Sequence, residues 1–355
     1  MEAYIRGIGN ISPQQSWEDI PFPPAIVQHE GNRLICLEPD YKQYINPVQM
    51  RRMSRTLKMG VSAAGKCLRD AEVDVPDAII VGTGLGMIAD TEKFLRSIID
   101  NRESLLTPTS FIQSTHNTIG AHIAVMLKCN KYNLTYVNDY LSFENALLDA
   151  NIRLLEDASE NILLAGIDEM TDSYFRITEN ADWWKKDIAR NLDLLQSPGP
   201  GRIAGEGASF FVVNGNKHPG NYARFAGVKT FYKPESEKET DNFITEFLSD
   251  HDLSPGQIGL LLTGINGDTA SDQHYYRLRD SLFKNVPFAF YKHLCGEYHT
   301  ASAFASWLGA RILQSQKWPD DIMLDKMAPT LPLNNILIYN QHKNTRHGLI
   351  LLKAC

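Results

Sequence analysis

Unbroken apolar runs that end in glycine recur along this chain. AIIVGTGLG, residues 78–86, stays apolar until its glycines, as a strand buried on both faces of a parallel sheet should. NILLAGIDE (161–169), GASFFVV (207–213) and IGLLLTGINGD (258–268) read the same way, and PFAFYK (287–292) gives a shorter strand. NNILIYN (334–340) and GLILLKA (348–354) read as an antiparallel pair closing a sheet. Further strands are expected at Tyr4–Gly7, closed by Gly9, at LTYVN (134–138) and within residues 221–231. Between these runs the apolar positions take a helical spacing, over residues 47–71, 141–158, 240–250 and 300–314. Pro47 suits a first helical turn, where its missing N–H needs no partner. Residues 110–127 read as a loop entering a helix, and SPGPG (197–201) marks a loop.

Strands alternating with helices predict an α/β fold. The order of elements in the first part recurs in the last, with NGNKHPGN (214–221) as the boundary. Two halves are expected, residues 1–215 and 216–355, forming one compact unit because neither would fold alone. The LTYVN strand runs directly into the helix that follows. That is the geometry of a nucleophile elbow, which exposes one side chain at a sharp turn. The glycines after AIIV are spaced G-x-G-x-G and lack the rest of a dinucleotide-binding fingerprint.

Composition narrows the function classes. The apolar fraction of 43% and the charged fraction of 22% are ordinary for a globular protein. A formal net charge of -7 argues against nucleic-acid or anionic-membrane partners. No apolar run approaches the roughly 20 residues of a membrane helix, and the first residues lack a signal-peptide layout, so a cytoplasmic protein is expected. Arg51, Arg52, Arg55 and Lys58 form a local basic cluster, either a solvated helix face or a docking patch. Cys36, Cys67, Cys129, Cys295 and Cys355 have no paired spacing, which suggests neither a structural metal nor disulfides. No cofactor is implied.

Several segments together resemble the β-ketoacyl synthases of the thiolase-like superfamily, over most of the chain. They are YIRGIGNISP from Tyr4, IIVGTGLG from Ile79, NTIGAHIAVML from Asn117 and GEGASFFVV from Gly205. Lys292 and Gly296 fall where the family's K-S-x-x-G-H motif has its lysine and glycine. The resemblance implies a thiolase-like duplicated five-layer αβαβα fold. The catalytic positions depart from it. NDYLS puts Tyr140 where the family's T-A-C-x-S elbow has its cysteine, and keeps Ser142. NGDTA puts Asn266 at the first histidine, Glu297 replaces the second, and NQHKNTRHG (340–348) replaces the glycine- and phenylalanine-rich gate.

These replacements remove demanding chemistry. Decarboxylative condensation needs a thioester-forming nucleophile and donors for a developing enolate. Tyrosine, with an ordinary pKa near 10, is expected to fill the acyl tunnel. Asn266 cannot take a proton at neutral pH, and Glu297 adds negative charge, expected to be neutralised by Lys292. Asp139, Glu206 and Asp268 are nearby carboxylates, though their spacing demands no metal. Ser142, His116, His293 and His299 are candidates for rescued chemistry. Ser142 is expected to pack or cap, His299 to be rotated roughly 200° off target on a helix start, and Cys295 to be a buried small hydrophobe. No residue is therefore assigned a catalytic role, and a self-sufficient β-ketoacyl synthase is not expected.

By resemblance, such a chain is a ketosynthase-like partner subunit of the chain length factor kind. It would shape the acyl tunnel of a cysteine-bearing ketosynthase in fatty-acid, polyketide or polyene elongation on an acyl carrier protein. The alternatives are an acyltransferase, thioesterase or malonyl decarboxylase with altered chemistry, and a non-catalytic homodimer binding an acyl chain or carrier. The fold pairs strands across a two-fold axis, and the LTYVN region is the candidate for that contact.

Overall fold

The computed structural model describes residues 2–17, 21–325 and 327–355. Its first half runs β1 (Ala3–Ile11), α1 (Pro47–Met50), α2 (Arg55–Asp70), β2 (Ala78–Gly82), α3 (Ile88–Asp100), α4 (Pro108–Gln113), α5 (Thr118–Leu127), β3 (Tyr132–Tyr136), α6 (Ser142–Glu156), β4 (Ile162–Asp168), α7 (Asp172–Asn180) and β5 (Gly207–Asn214). The second runs β6 (Arg224–Tyr232), α8 (Glu237–Ser249), β7 (Leu260–Thr263), α9 (Thr269–Asp280), β8 (Phe288–Phe290), α10 (Lys292–Cys295), α11 (Ala301–Ser315), β9 (Asn335–His342) and β10 (Arg346–Lys353).

The strand order is β3-β2-β4-β5-β1-β6-β10-β9-β7-β8. Read from either end, it is the same five-strand pattern twice. β2 pairs in parallel with β3 and β4, as β7 does with β8 and β9, while β5 and β10 are antiparallel to their neighbours. Among the described strands the two sets are joined where Ala3 and Tyr4 of β1 face Phe225 and Arg224 of β6, and Ile5 continues the junction to Tyr222 and Ala223.

Side-chain alternation along the strands builds three separate cores. Ile80, Leu164 and Phe211 point one way and Leu262, Ile338 and Ile350 point back at them, enclosing Phe143, Leu147 and Ala150 of α6 and Ala303, Phe304 and Leu308 of α11. The alternate positions Ile79, Leu163 and Val212 meet Leu57, Ala64 and Cys67 of α2 on one outer face. Leu261, Leu337 and Leu351 meet Ile244 of α8 and Leu278 of α9 on the other. Helix, sheet, helix pair, sheet, helix make five layers, the thiolase-like duplicated α/β fold.

Several elements differ from the sequence reading, which also placed no helix at α3 or α7. The helix expected over residues 47–71 is broken: Asn46 caps Val48 N–H at a four-residue turn, and α2 starts afresh at Arg55. Gly9 does not close β1 but lies inside it, as Gly7 does. A Cβ at Gly7 would fall 2.4 Å from the Cys67 carbonyl and one at Gly9 2.1 Å from the Ala63 carbonyl, so the glycines let α2 press onto the strand. α9 (TASDQHYYRLRD) had no helical signal because only Asp272, His274, Tyr275 and Leu278 are buried in it. Arg55 also leaves the basic cluster, turning inward to pair with Glu206 at 2.6 Å.

Candidate functional site

β3 hands the chain to α6 through a tight turn. Asp139 takes φ +50°, a left-handed value that costs a non-glycine residue strain and is concentrated at functional turns. Ser142 closes the elbow, accepting from Asn138 N–H at 2.9 Å and donating to the Asp139 carbonyl at 2.8 Å. It is therefore a local cap, as expected, and its hydroxyl is engaged by backbone on both sides.

Tyr140, 3% exposed, is held by rings. His342 stacks on it at 3.6 Å between centroids and 10° between planes, and His299 packs at 4.5 Å and 30°. Burial first, and then the Glu297 charge, push the phenol far above its ordinary pKa. Arg202 donates to His342 Nδ1 at 3.2 Å. Burial, with Arg202 next, pushes His342 down to about 2, so the Tyr140–His342 pair is neutral. His299 corrects the sequence reading. Residues before Ala301 form a turn and not a helix, so no helical rotation applies, and its Nε2 lies 3.2 Å from Asp139 Oδ1. Burial opposes the charge on Asp139, but the His299 bond and Arg346, 3.2 Å away, outweigh it and lower its pKa.

The second half supplies an ionic cluster. Lys292 Nζ lies 2.8 Å from both Glu297 oxygens, with both side chains 1% exposed. Asn266 donates to Glu297 Oε2 at 2.7 Å and accepts from Asp268 N–H at 3.1 Å. Asp272 receives the Asn266 and Gly267 N–H groups at 3.0 and 2.7 Å, and burial pushes it up to about 7. Glu144, in the first turn of α6, is buried with neither carboxylate oxygen partnered among the described residues, and burial raises it to about 7. Glycines at the seam make this assembly possible. A Cβ on Gly205 would sit 2.0 Å from the Cys295 carbonyl, and one on Gly296 would sit 2.4 Å from Gly205 Cα.

The remaining candidates lie apart. His293 is buried against Phe290, and burial lowers it to about 3. His116 is exposed. Cys295 is buried and its thiol is pushed well up by burial. Asp268 caps α9 and Glu206 binds Arg55, so these carboxylates do not converge. Among the described residues no three His, Cys, Asp or Glu side chains are grouped to hold a metal ion, and no helix is long and apolar enough to cross a membrane. A cavity of about 420 Å³ opens beside the stack, lined by Trp183, Arg202, Asp268, Ser271 and Lys343. His342 and Arg202 were not singled out in the sequence. The signal available was the replaced gate segment that carries His342.

A strand–helix elbow facing two loops of the second half, on a duplicated five-layer frame, defines a thiolase-like scaffold. The family model described as "Beta-ketoacyl synthase, N-terminal domain" matches residues 29–206, and the chain belongs to the β-ketoacyl synthase family. No curated protein matches the chain significantly in sequence. Among solved structures, the ishigamide ketosynthase/chain length factor superposes with a TM-score of 0.78 at 15% identity, covering 100% of this chain and 99% of that one. A β-ketoacyl synthase from Burkholderia phymatum gives 0.75 at 14%, covering 100% and 99%. A ketosynthase in complex with its chain length factor from Xenorhabdus doucetiae gives 0.71 at 14%, covering 99% and 98%. At these identities the likeness is one of fold.

Proposed function

We propose that this chain is a non-catalytic, ketosynthase-like subunit. It would act in the cytoplasm beside a cysteine-bearing ketosynthase, shaping the acyl tunnel during elongation on an acyl carrier protein. The observation that carries the reading is the closed state of the elbow. Tyr140 is locked between the rings of His342 and His299 where a family nucleophile would stand free. Asn266 and Lys292 meanwhile tie up Glu297, so no residue at the three positions is poised to attack a thioester or to stabilise an enolate.

A partner surface is available. β3 lies at the sheet edge, pairing only with β2 among the described strands. Leu134, Val137, Leu148, Ile152 and Leu155 are exposed on β3, the elbow and α6, an apolar patch of the kind that marks protein contacts. Superposition on a ketosynthase solved with its chain length factor is consistent with this use.

Native mass spectrometry of the protein isolated gently from its own cells tests the proposal. A one-to-one complex with a cysteine-bearing ketosynthase is the expected result. Recovery as a homodimer without such a partner would overturn it and leave a carrier- or acyl-binding homodimer. One observation favours an altered enzyme: His299 is paired to Asp139, and its Nδ1 is buried with no partner among the described residues. Turnover of acyl carrier thioesters that His299→Gln abolishes would establish that reading.

A further inference from the structure

A second chamber lies at the far end of the central helices, independent of the elbow. Arg311 stands near the last turn of α11, roughly 15 Å along the axis from Ala301. The chamber has a volume of about 260 Å³ and is walled by Asn10, Phe22, Asp70, Tyr222, Trp307 and Arg311. An apolar crevice of about 20 Å³ shares Phe22, Pro24 and Trp307 with it and continues past Ile26, Phe304 and Leu308.

The donors of the chamber are incompletely used. Asn10 is 1% exposed and its Oδ1 accepts from Ser209 Oγ at 2.5 Å, but its Nδ2 is buried without a partner among the described residues. A buried donor left unpaired costs about 1–3 kcal/mol, so such a group invites a ligand acceptor. The Arg311 guanidinium lies 5.3 Å from the Phe22 ring centre and 5.9 Å from that of Tyr222. Among the described residues it makes one long hydrogen bond, to Gln314 Oε1 at 3.4 Å. Among the described residues Asp70 is the acidic group in the wall, and its Oδ2 accepts from Ile8 N–H at 2.9 Å and Tyr222 hydroxyl at 2.8 Å. Lys66 also lines the chamber and donates to the Trp17 carbonyl.

We propose that this chamber binds a small amphiphilic monocarboxylate. Its carboxylate is taken by the Arg311 fork and Asn10 Nδ2, and its apolar body lies on Phe22 and Trp307 toward the crevice. A guanidinium matches a planar carboxylate in two parallel hydrogen bonds. Arg311 and Lys66 outweigh Asp70 in the wall, so the preference for a monocarboxylate over inorganic phosphate comes from the apolar body that lies on Phe22 and Trp307, which phosphate lacks. The volume has room for roughly nine water-sized groups, which limits the ligand to a short chain or a single ring.

Isothermal titration calorimetry on the whole protein, with hexanoate, hexanol and inorganic phosphate as probes, tests the assignment. Hexanoate should bind saturably, with hexanol and phosphate at least tenfold weaker. Arg311→Met should weaken hexanoate at least tenfold with the melting temperature little changed. Arg311→Lys, which keeps the charge but not the fork, should weaken it less, and Asn10→Asp should weaken it by repulsion. Absence of saturable hexanoate binding would overturn the proposal, as would wild-type affinity in Arg311→Met. Phosphate binding as tight as hexanoate would make this a general anion site and overturn the selectivity for carboxylate.

Discussion

The starts of α6 and α11 occupy matching places in the two halves and hold opposite chemistry. β3 and β8 take the same position in their five-strand sets, and each leads toward one of the two central helices. At the start of α6 the chain buries a stack of rings around Tyr140. Before α11 it buries an ammonium and a carboxylate, Lys292 and Glu297, with an amide completing the shell. A duplicated frame thus fixes where side chains converge but not what they do there. The two ends also fail differently. Rings contribute through packing, which degrades with volume removed. A buried ion pair adds little net stability, yet losing one partner strands the other charge.

Breaking the ionic end should have the largest effect. Glu297→Leu strands the Lys292 ammonium and should cost about 3–5 kcal/mol in urea unfolding. Lys292→Met on top of it should recover much of that loss, the coupling a double-mutant cycle measures. Removing the ring at the other end should come next. Tyr140→Ala should cost about 3 kcal/mol through the cavity it opens, whereas Tyr140→Cys should remain inactive in condensation assays because Asn266 and Glu297 still replace the histidines.

Buried carboxylates and buried histidines also differ in their response to pH. Glu144, pushed up to about 7 by burial, binds a proton in the folded state that it would release unfolded above about pH 4.5. The fold therefore loses stability at this residue as pH rises from about 4.5 to 7. Glu144→Gln should raise stability by about 1–3 kcal/mol at pH 8 and by less at pH 4.5. His274 and His347, lowered to about 4 chiefly by burial around the Tyr339 hydroxyl, have the opposite sign. Their contribution is complete above about pH 6.5 and is lost as pH falls toward 4. Thermal melts across this range compare the two. The smallest effect expected is at the elbow, where Ser142→Ala should cost about 1 kcal/mol and leave the Tyr140 stack in place.

What the sequence disclosed tracks how local each signal is. Buried strands such as residues 78–82 and 207–214 were legible because burial on both faces demands an unbroken apolar run. α9 was not, since a helix with one narrow buried face carries little apolar signal. Gly9 was misread as closing the strand because the reason for it, the approach of Ala63 in α2, comes from far along the chain. At the site, the pairing of Lys292 with Glu297 followed from charge between near neighbours in sequence. The ring stack did not, because His342 meets Tyr140 only through the pairing of β9 with β10 and the folding of the second half over the first. His299 was misplaced by assuming helix where the chain makes a turn.

The position of β1 has a consequence for the order of events during synthesis. Its partners β5 and β6 begin at Gly207 and Arg224, far along the chain from Ile11. At about 5–20 residues per second, translation leaves β1 without a strand partner for roughly 10–40 s. During that interval it presents an unpaired apolar strand edge, the feature that chaperones mask and that neighbouring nascent chains can capture. The strand that joins the two halves of the finished molecule is thus the one whose safe arrival depends most on what the cell does while the protein is still being made.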